Sequence, residues 1–221
     1  MKGEEHFHDR ADAYEDLIIG IVPDAQSFFG AVVSSVPGEE VSVLELGSGT
    51  GYVTEMVLRA NPAAAVTCID MDPAMLAVAR RKEALGAVSF LEGDFRDVWP
   101  EGQFDIVLTS LCLHHLPDRD RAAVVRRIRE TLRPGGVFVN GDVFRGVTPE
   151  EEDADCRLWR QAMAENGLPI GEIELMLAKR KRNATCLDTL PGYLQKMKDA
   201  GFRQITHPYR HSIYAVVVGV R

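Results

Sequence analysis

Cysteine is scarce in this chain. The four residues, Cys68, Cys112, Cys156 and Cys186, stand far apart with no Cys-x-x-Cys pair, a usage that suits a reducing compartment better than a disulfide framework. Long apolar runs are missing too. None approaches the ~20 residues that a membrane helix needs, so no membrane partner is expected. The start, Met1-Lys2-Gly3-Glu4-Glu5-His6, is polar and acidic, which favours a cytoplasmic location over secretion. Positive charge is in deficit: 25 Lys and Arg stand against 33 Asp and Glu, a formal net charge of −8. That leaves no broad basic face, so nucleic acid is not an expected partner, whereas a small molecule is. The tail histidines His207 and His211 lack compact ligand spacing, and no metal is expected. Internal repeats, low-complexity tracts and linkers are absent as well.

What is present suits one α/β domain. The length of 221 residues, with 46% hydrophobic and 26% charged residues, is enough for a full core. The most informative stretch is Val43-Leu44-Glu45-Leu46-Gly47-Ser48-Gly49-Thr50-Gly51. An apolar run ends at an acid, alternating glycines follow, and a helix-forming segment comes next. Such a loop lets backbone pass close to a ligand at the carboxyl end of a parallel strand. The dinucleotide fingerprint Gly-x-Gly-x-x-Gly would place its third glycine where Tyr52 stands, and that mismatch turns the reading away from nicotinamide and flavin cofactors.

Strands are predicted at 41–46, 66–70, 88–92, 104–110 and 136–141, with helices at 52–60, 73–85 and 119–132 between them. Such alternation predicts a parallel sheet covered on both faces. Arg133-Pro134-Gly135-Gly136 reads as a stop and turn before the fifth strand, and Pro73 as a first helical residue. An apolar-periodic segment at 9–36, broken near Pro23, precedes the sheet, and a helical insertion spans 148–187. A helix at 190–200 leads to two last strands, 204–209 and 212–220, joined antiparallel through Arg210-His211. The expected architecture is a Rossmann-like, doubly wound, seven-stranded α/β sheet, mostly parallel, with an antiparallel C-terminal hairpin and a helical cap. One domain, 1–221, divides into an N-terminal cap (1–40), a cofactor-binding core (41–144), a helical insert (145–188) and a C-terminal helix and strands (189–221).

Further motifs stand at the strand ends: Ile69-Asp70-Met71-Asp72-Pro73-Ala74-Met75-Leu76, Glu92-Gly93-Asp94-Phe95, Ser110-Leu111-Cys112-Leu113-His114-His115-Leu116, and Leu132-Arg133-Pro134-Gly135-Gly136. An acid about 20 residues beyond a glycine loop can accept hydrogen bonds from ribose hydroxyls, which makes Asp70 the candidate, a turn or cap carboxylate being its other reading; Asp72 before Pro73 reads as an N-cap. With the opening His6-Phe7-His8-Asp9-Arg10-Ala11-Asp12-Ala13-Tyr14, these motifs resemble class I S-adenosylmethionine-dependent methyltransferases of the small-molecule type. More distantly, the chain is similar to carboxy-S-adenosylmethionine synthases, which serve tRNA wobble-uridine modification.

The resemblance implies S-adenosyl-L-methionine as cofactor and S-adenosyl-L-homocysteine as product. It places Gly47, Gly49 and Gly51 at the methionine end, Glu45 near the amino group and Tyr14 near the methionine moiety. Phe7 and Tyr14 read equally as one apolar helix face. Asp94 is expected at the adenine amino group with Phe95 flanking the ring, and Met71 and Met75 line the adenine pocket, Met75 being as well suited to core packing. Ser110 ends its strand facing methyl transfer. His115 is expected to support the cofactor loop and His114 to face substrate, where an unshifted imidazole takes a proton near neutral pH.

Arg145, Trp159 and Arg160 are the substrate candidates, each also readable as packing or solvated surface. The run Lys179–Arg182 is an anion reader or a solvated face, and in carboxy-S-adenosylmethionine synthases a basic insert residue, here Lys179 or Arg180, holds the extra carboxylate. Ser48-Gly49-Thr50 departs from the Cys-Ser-Leu loop of that group. The expected activity is in-line methyl transfer to a small-molecule oxygen, nitrogen or carbon nucleophile. The alternatives are a carboxy-S-adenosylmethionine synthase-like enzyme or a non-catalytic binder of the cofactor. A homodimer stays open.

Overall fold

The computed structural model describes residues 11–36 and 40–221. The opening motif up to Arg10, Phe7 included, lies outside the described residues, as do residues 37–39. The sheet has seven strands: β1 (Ser42–Leu46), β2 (Ala65–Asp70), β3 (Ser89–Glu92), β4 (Phe104–Ser110), β5 (Leu132–Val143), β6 (Arg203–His211) and β7 (Tyr214–Val220). Their order is β3-β2-β1-β4-β5-β7-β6. The five strands β1–β5 run parallel, and β7 lies antiparallel to both β5 and β6. The order reverses at β1, whose two neighbours are β2 and β4. That reversal opens a crevice beyond the carboxyl ends of β1, β2 and β4, where open α/β sheets bind ligands.

Period-two alternation explains the two cores. Val43 faces one side with Cys68, Ile106 and Leu108, while Leu44 and Leu46 face the other with Ile69 and Val107. The first side is covered by α1 (Tyr14–Ile21), α2 (Ala25–Val33) and α3 (Tyr52–Ala60), with Phe28, Val32 and Val57 fully buried. On the second lie α5 (Asp118–Thr131) and α8 (Leu190–Asp199), which contribute Val125, Ile128, Tyr193 and Met197; α4 (Pro73–Arg81) precedes them in the chain. The insert folds as α6 (Pro149–Glu165) and α7 (Ile170–Asn183). Trp159, Met163, Ile173 and Met176 join the first core, so the insert packs with the N-terminal helices as one cap. Among the described residues no single helix is long and apolar enough to cross a membrane.

Several expected boundaries move, each for a visible reason. β5 starts at Leu132, ahead of the expected turn, because Arg133 Nη1 reaches both Asp105 oxygens at 2.7 Å and draws 132–135 alongside β4. The helix expected at 73–85 stops at Arg81, where Lys82 turns extended and sends Nζ to Glu15 (2.7 Å) and Glu55 (3.2 Å). A separate 3-10 turn, Glu83–Leu85, follows. The expected Arg210-His211 connection is instead paired strand. The hairpin turns at Ser212-Ile213, where Ser212 takes φ +53° and its hydroxyl donates to Asp155 O at 2.6 Å.

Candidate functional site

The glycine loop, residues 47–51, carries three glycines at φ +69°, +54° and +75°, a region that L side chains enter only at a cost. It is tied down by Gly47 N–H and Ser48 N–H, both donating to Ile69 O of β2. A Cβ at Gly47 would lie 2.2 Å from Cys112 Sγ, whereas one at Gly49 would meet no atom within 4 Å. The first glycine lets the loop close on the β4 end, and the second faces open space. At the loop and at the end of β4, Ser48 and Ser110 hold buried hydroxyls with no hydrogen bond of good geometry among the described residues. A positive-φ backbone beside open space, with unmet hydroxyls close by in the fold, fits a polar ligand such as the amino-acid end and ribose of the expected cofactor.

Asp70 ends β2 against this loop. Its Oδ2 accepts from Gly49 N–H at 2.7 Å and its Oδ1 from Asp72 N–H at 2.8 Å. Burial raises its pKa, and those two amides oppose the rise. Asp72 caps α4, accepting from Ala74 N–H and Met75 N–H. Glu45 lies beneath the loop, 1% exposed, its Oε2 accepting from Thr54 Oγ1 at 2.5 Å. Burial pushes its carboxyl up to about 7, against the pull of the Thr54 bond. Tyr14 comes from the cap to the same corner, where burial raises its phenol and the Cys112 and Asp70 charges add to the effect.

At the third strand end Asp94 accepts from Arg96 Nε (2.9 Å) and Nη2 (2.6 Å), while Arg96 reaches on to Asp120 at 3.0 Å. The Arg96 bonds hold the Asp94 carboxyl below its ordinary value. Phe95 is buried in the second core, Met75 is buried on α4, and Met71 is 61% exposed beside the loop.

The chemistry gathers at the end of β4. Leu111, just past Ser110, adopts φ +51° and donates its N–H to Gly141 O. This leads into a 3-10 turn, Leu113–His115. His114 Nδ1 lies 2.5 Å from Asp142 Oδ1, and His114 N–H donates to Asp142 Oδ2 at 3.0 Å. Asp142 is 3% exposed and also accepts from Val143 N–H. The two histidine rings lie 4.0 Å apart. His115 stands on the outer side, and the nearby charge of His114, then desolvation and Lys179, depress its basicity well below normal. Of the two, His114 has the geometry of an oriented base.

Arg121 of α5 is buried and binds this turn from below. It donates to Leu113 O, Leu116 O and Cys186 O, and pairs with Asp188 at 2.7 Å. Sequence reasoning missed both Asp142 and Arg121. An acid closing an otherwise apolar strand was the available signal for Asp142; Arg121 looks like any other charge in an arginine-rich helix.

The cap candidates separate. Trp159 is buried and donates its indole N–H to Ile21 O at 2.7 Å, joining insert to N-terminal cap. Arg160 is exposed and ion-paired with Glu174. Arg145 is exposed, donating Nε to Leu187 O at 3.0 Å, and lines a cavity of about 180 Å³ with Arg210, Glu151 and Asp155. Within the basic run, Arg180 turns inward: it is buried, bonded to Glu152 at 2.7 Å and to Phe144 O at 2.8 Å. That guanidinium is spent on holding α7 to α6.

A family model described as "Methyltransferase domain" matches residues 43–136. A malonyl-acyl-carrier-protein O-methyltransferase of Priestia megaterium is 26% identical over 63% of this chain and 49% of its own. A carboxy-S-adenosyl-L-methionine synthase of Chromohalobacter salexigens is 26% identical over 92% of this chain and 73% of its own. The chain thus spans about half the length of the first relative and nearly three quarters of the second. Among solved structures, an O-methyltransferase family protein from Burkholderia thailandensis superposes with a TM-score of 0.69, covering 99% of this chain and 62% of that one at 20% identity. That is a likeness of fold.

Proposed function

The chain belongs to the class I S-adenosylmethionine-dependent methyltransferases, and from that premise we propose that it methylates a small-molecule acceptor that loses a proton as it reacts. A hydroxyl is the acceptor chemistry the site suits best. The observation that carries this reading is the His114–Asp142 pair at 2.5 Å, at the strand end next to the glycine loop.

When bound, the cofactor supplies a methyl group already activated on a sulfonium. The residues placed to hold it are the loop glycines, Asp70 at the ribose, Ser48 and Ser110 through their unpartnered hydroxyls, and Tyr14 from the cap. The protein's main work is positioning, worth roughly 7–11 kcal/mol when the geometry is near attack. A base adds ~10²–10⁴-fold when the nucleophile must lose a proton. Asp142 engages Nδ1, which leaves Nε2 of His114 as the atom that takes the acceptor's proton. The buried Asp142 carboxylate then stabilises the imidazolium where it forms.

Incubation with S-adenosylmethionine and a panel of hydroxyl, amine, thiol and carbon acceptors tests the reading. S-adenosylhomocysteine should form with a hydroxyl acceptor and depend on His114. A folded sample that binds no S-adenosylhomocysteine in calorimetry ends the methyltransferase reading altogether. The broad match to a carboxy-S-adenosyl-L-methionine synthase favours one rival. Against it stand the Arg180 guanidinium, engaged with Glu152, and the Ser48-Gly49-Thr50 loop. Mass spectrometry of the cofactor retained through purification separates the two, since an added carboxyl group would reverse the ranking.

A further inference from the structure

We infer that Asn140 and Tyr193 hold a single structural water beneath Asp142, and that the two are positioning residues for the His114–Asp142 pair. The inference rests on the reading of His114 as the base. Asn140 lies two residues before Asp142 on β5, on the same face, and is fully buried. Neither its Nδ2 nor its Oδ1 makes a hydrogen bond of good geometry among the described residues, nor does the buried Tyr193 hydroxyl, brought from α8, although the two side chains lie close enough to act on one another. All three atoms are strong hydrogen-bonding groups, and a buried donor or acceptor left unmet costs more than a typical bond gains.

These side chains line one small cavity. Its walls include His114, Asp142, Asn140, Tyr193, Arg121 and Asp188, and its volume is about 10 Å³. That is room for about one water, which needs two to four polar partners to stay. The amide, the phenol and the Asp142 carboxylate supply such a set. Burial drives the Tyr193 phenol well above its ordinary value, with the Asp142 and Asp188 charges adding and the Arg121 charge, then the Asn140 side chain, opposing. The hydroxyl therefore stays protonated and remains a donor across the working range.

A donor in this cavity reaches Asp142 beside the bonds that Asp142 makes to His114. It fixes the carboxylate plane, and with it the direction in which Nε2 points. Removing it leaves the base present but loosely aimed, and small misplacements of reacting groups are costly. Neither residue touches substrate or cofactor in this scheme.

The test uses the full-length protein with S-adenosylhomocysteine, Tyr193→Phe and Asn140→Ser. A high-resolution crystal structure of the unaltered protein should show one water within hydrogen-bond distance of Tyr193 Oη, the Asn140 amide and the Asp142 carboxylate. In proton NMR the low-field His114 Nδ1–H resonance, the signature of a short imidazole–carboxylate bond, should shift or broaden in Tyr193→Phe. With an acceptor in hand, kcat should fall about tenfold in either variant while the KM for S-adenosylmethionine holds. Two results overturn the inference: a direct Asn140–Tyr193 bond with no water between, or a His114 resonance unchanged in a folded Tyr193→Phe. Both are read without turnover, so a failure of the methyl-transfer reading shows separately, as absent product.

Discussion

Asp142→Asn is the most informative single change. The Asp142 carboxylate meets three donors: His114 Nδ1 at 2.5 Å, His114 N–H at 3.0 Å and Val143 N–H at 2.9 Å. An asparagine keeps the shape but turns one acceptor into an NH₂ group. His114 Nδ1 and Val143 N–H share Oδ1, while His114 N–H meets Oδ2. If the amide oxygen stays with His114 N–H, the NH₂ faces Nδ1 and opposes Val143 N–H, and the Nδ1 bond survives only if Nδ1 carries no proton. The imidazole proton then sits on Nε2, the atom that has to accept one. The variant should thus keep its histidine and lose its base. The expected loss is ~10²–10⁴-fold in kcat, or roughly 3–5 kcal/mol of barrier. The stability cost should be smaller, ~1–3 kcal/mol for one mismatched buried bond, within what a domain of this size tolerates. Product formation, thermal melting and calorimetry with S-adenosylhomocysteine read the three quantities separately. A kcat within twofold of the unaltered protein would refute the tautomer argument. So would a loss of S-adenosylhomocysteine affinity as large as the loss of rate, because Asp142 would then be holding the cofactor side.

Three other changes probe the cofactor side. Asp70→Ala removes the acceptor for Gly49 N–H and the proposed ribose contact; at ~1.5–3 kcal/mol per charged hydrogen bond, affinity for S-adenosylhomocysteine should fall about 10–100-fold with the fold intact, and unchanged calorimetric affinity would remove Asp70 from the site. Glu45 is held near 7 by burial, above the ordinary 4.5, so between those values the folded chain carries a proton that the unfolded chain has lost. Stability should therefore fall as pH rises through that window, by on the order of 3 kcal/mol, and Glu45→Gln should flatten the dependence of the melting temperature between about pH 5 and 8; parallel profiles for the two proteins would contradict this. Gly47→Ala combines φ +69° with a Cβ 2.2 Å from Cys112 Sγ, so it should lose at least the ~1–2 kcal/mol of a left-handed L-residue. Adding Cys112→Ala should restore only part of the melting temperature, and full stability of the single variant would show that the loop is not held as described.

The cofactor half was readable in the sequence because its signals are local. A strand, three glycines and a helix in one stretch specify the loop by backbone conformation alone, and α3 runs from Tyr52 to Ala60, as expected. The acid at the end of β2 needed only a count along the chain. The acceptor half was not readable in the same way. His114 and Asp142 are 28 residues apart and meet because β4 and β5 are neighbours. The same helix that exposes Arg119 buries Arg121, a distinction made by Asp188 and three carbonyls outside the helix. The hairpin position was missed because its turn uses Ser212 at positive φ where a glycine or asparagine would have announced it.

The two halves are mechanically joined, and the joint runs through the cap. Glu15 of α1 accepts from Thr50 Oγ1 inside the glycine loop and from Lys82 Nζ after α4, each at 2.7 Å. The next residues along α1 pass the connection outward: Ile21 O accepts the Trp159 indole of the insert, and Gly20 O accepts from the Asn166 amide at 3.0 Å. The insert in turn is braced by Arg180, whose partner Phe144 follows the end of β5 two residues after Asp142. The cap therefore contacts both the glycine loop and the segment that follows β5. The Glu15 contacts are partly exposed and so individually weak. The Trp159 contact is buried and ties the two cap segments together. Glycine loop, cap and the end of β5 are thus joined by one chain of contacts.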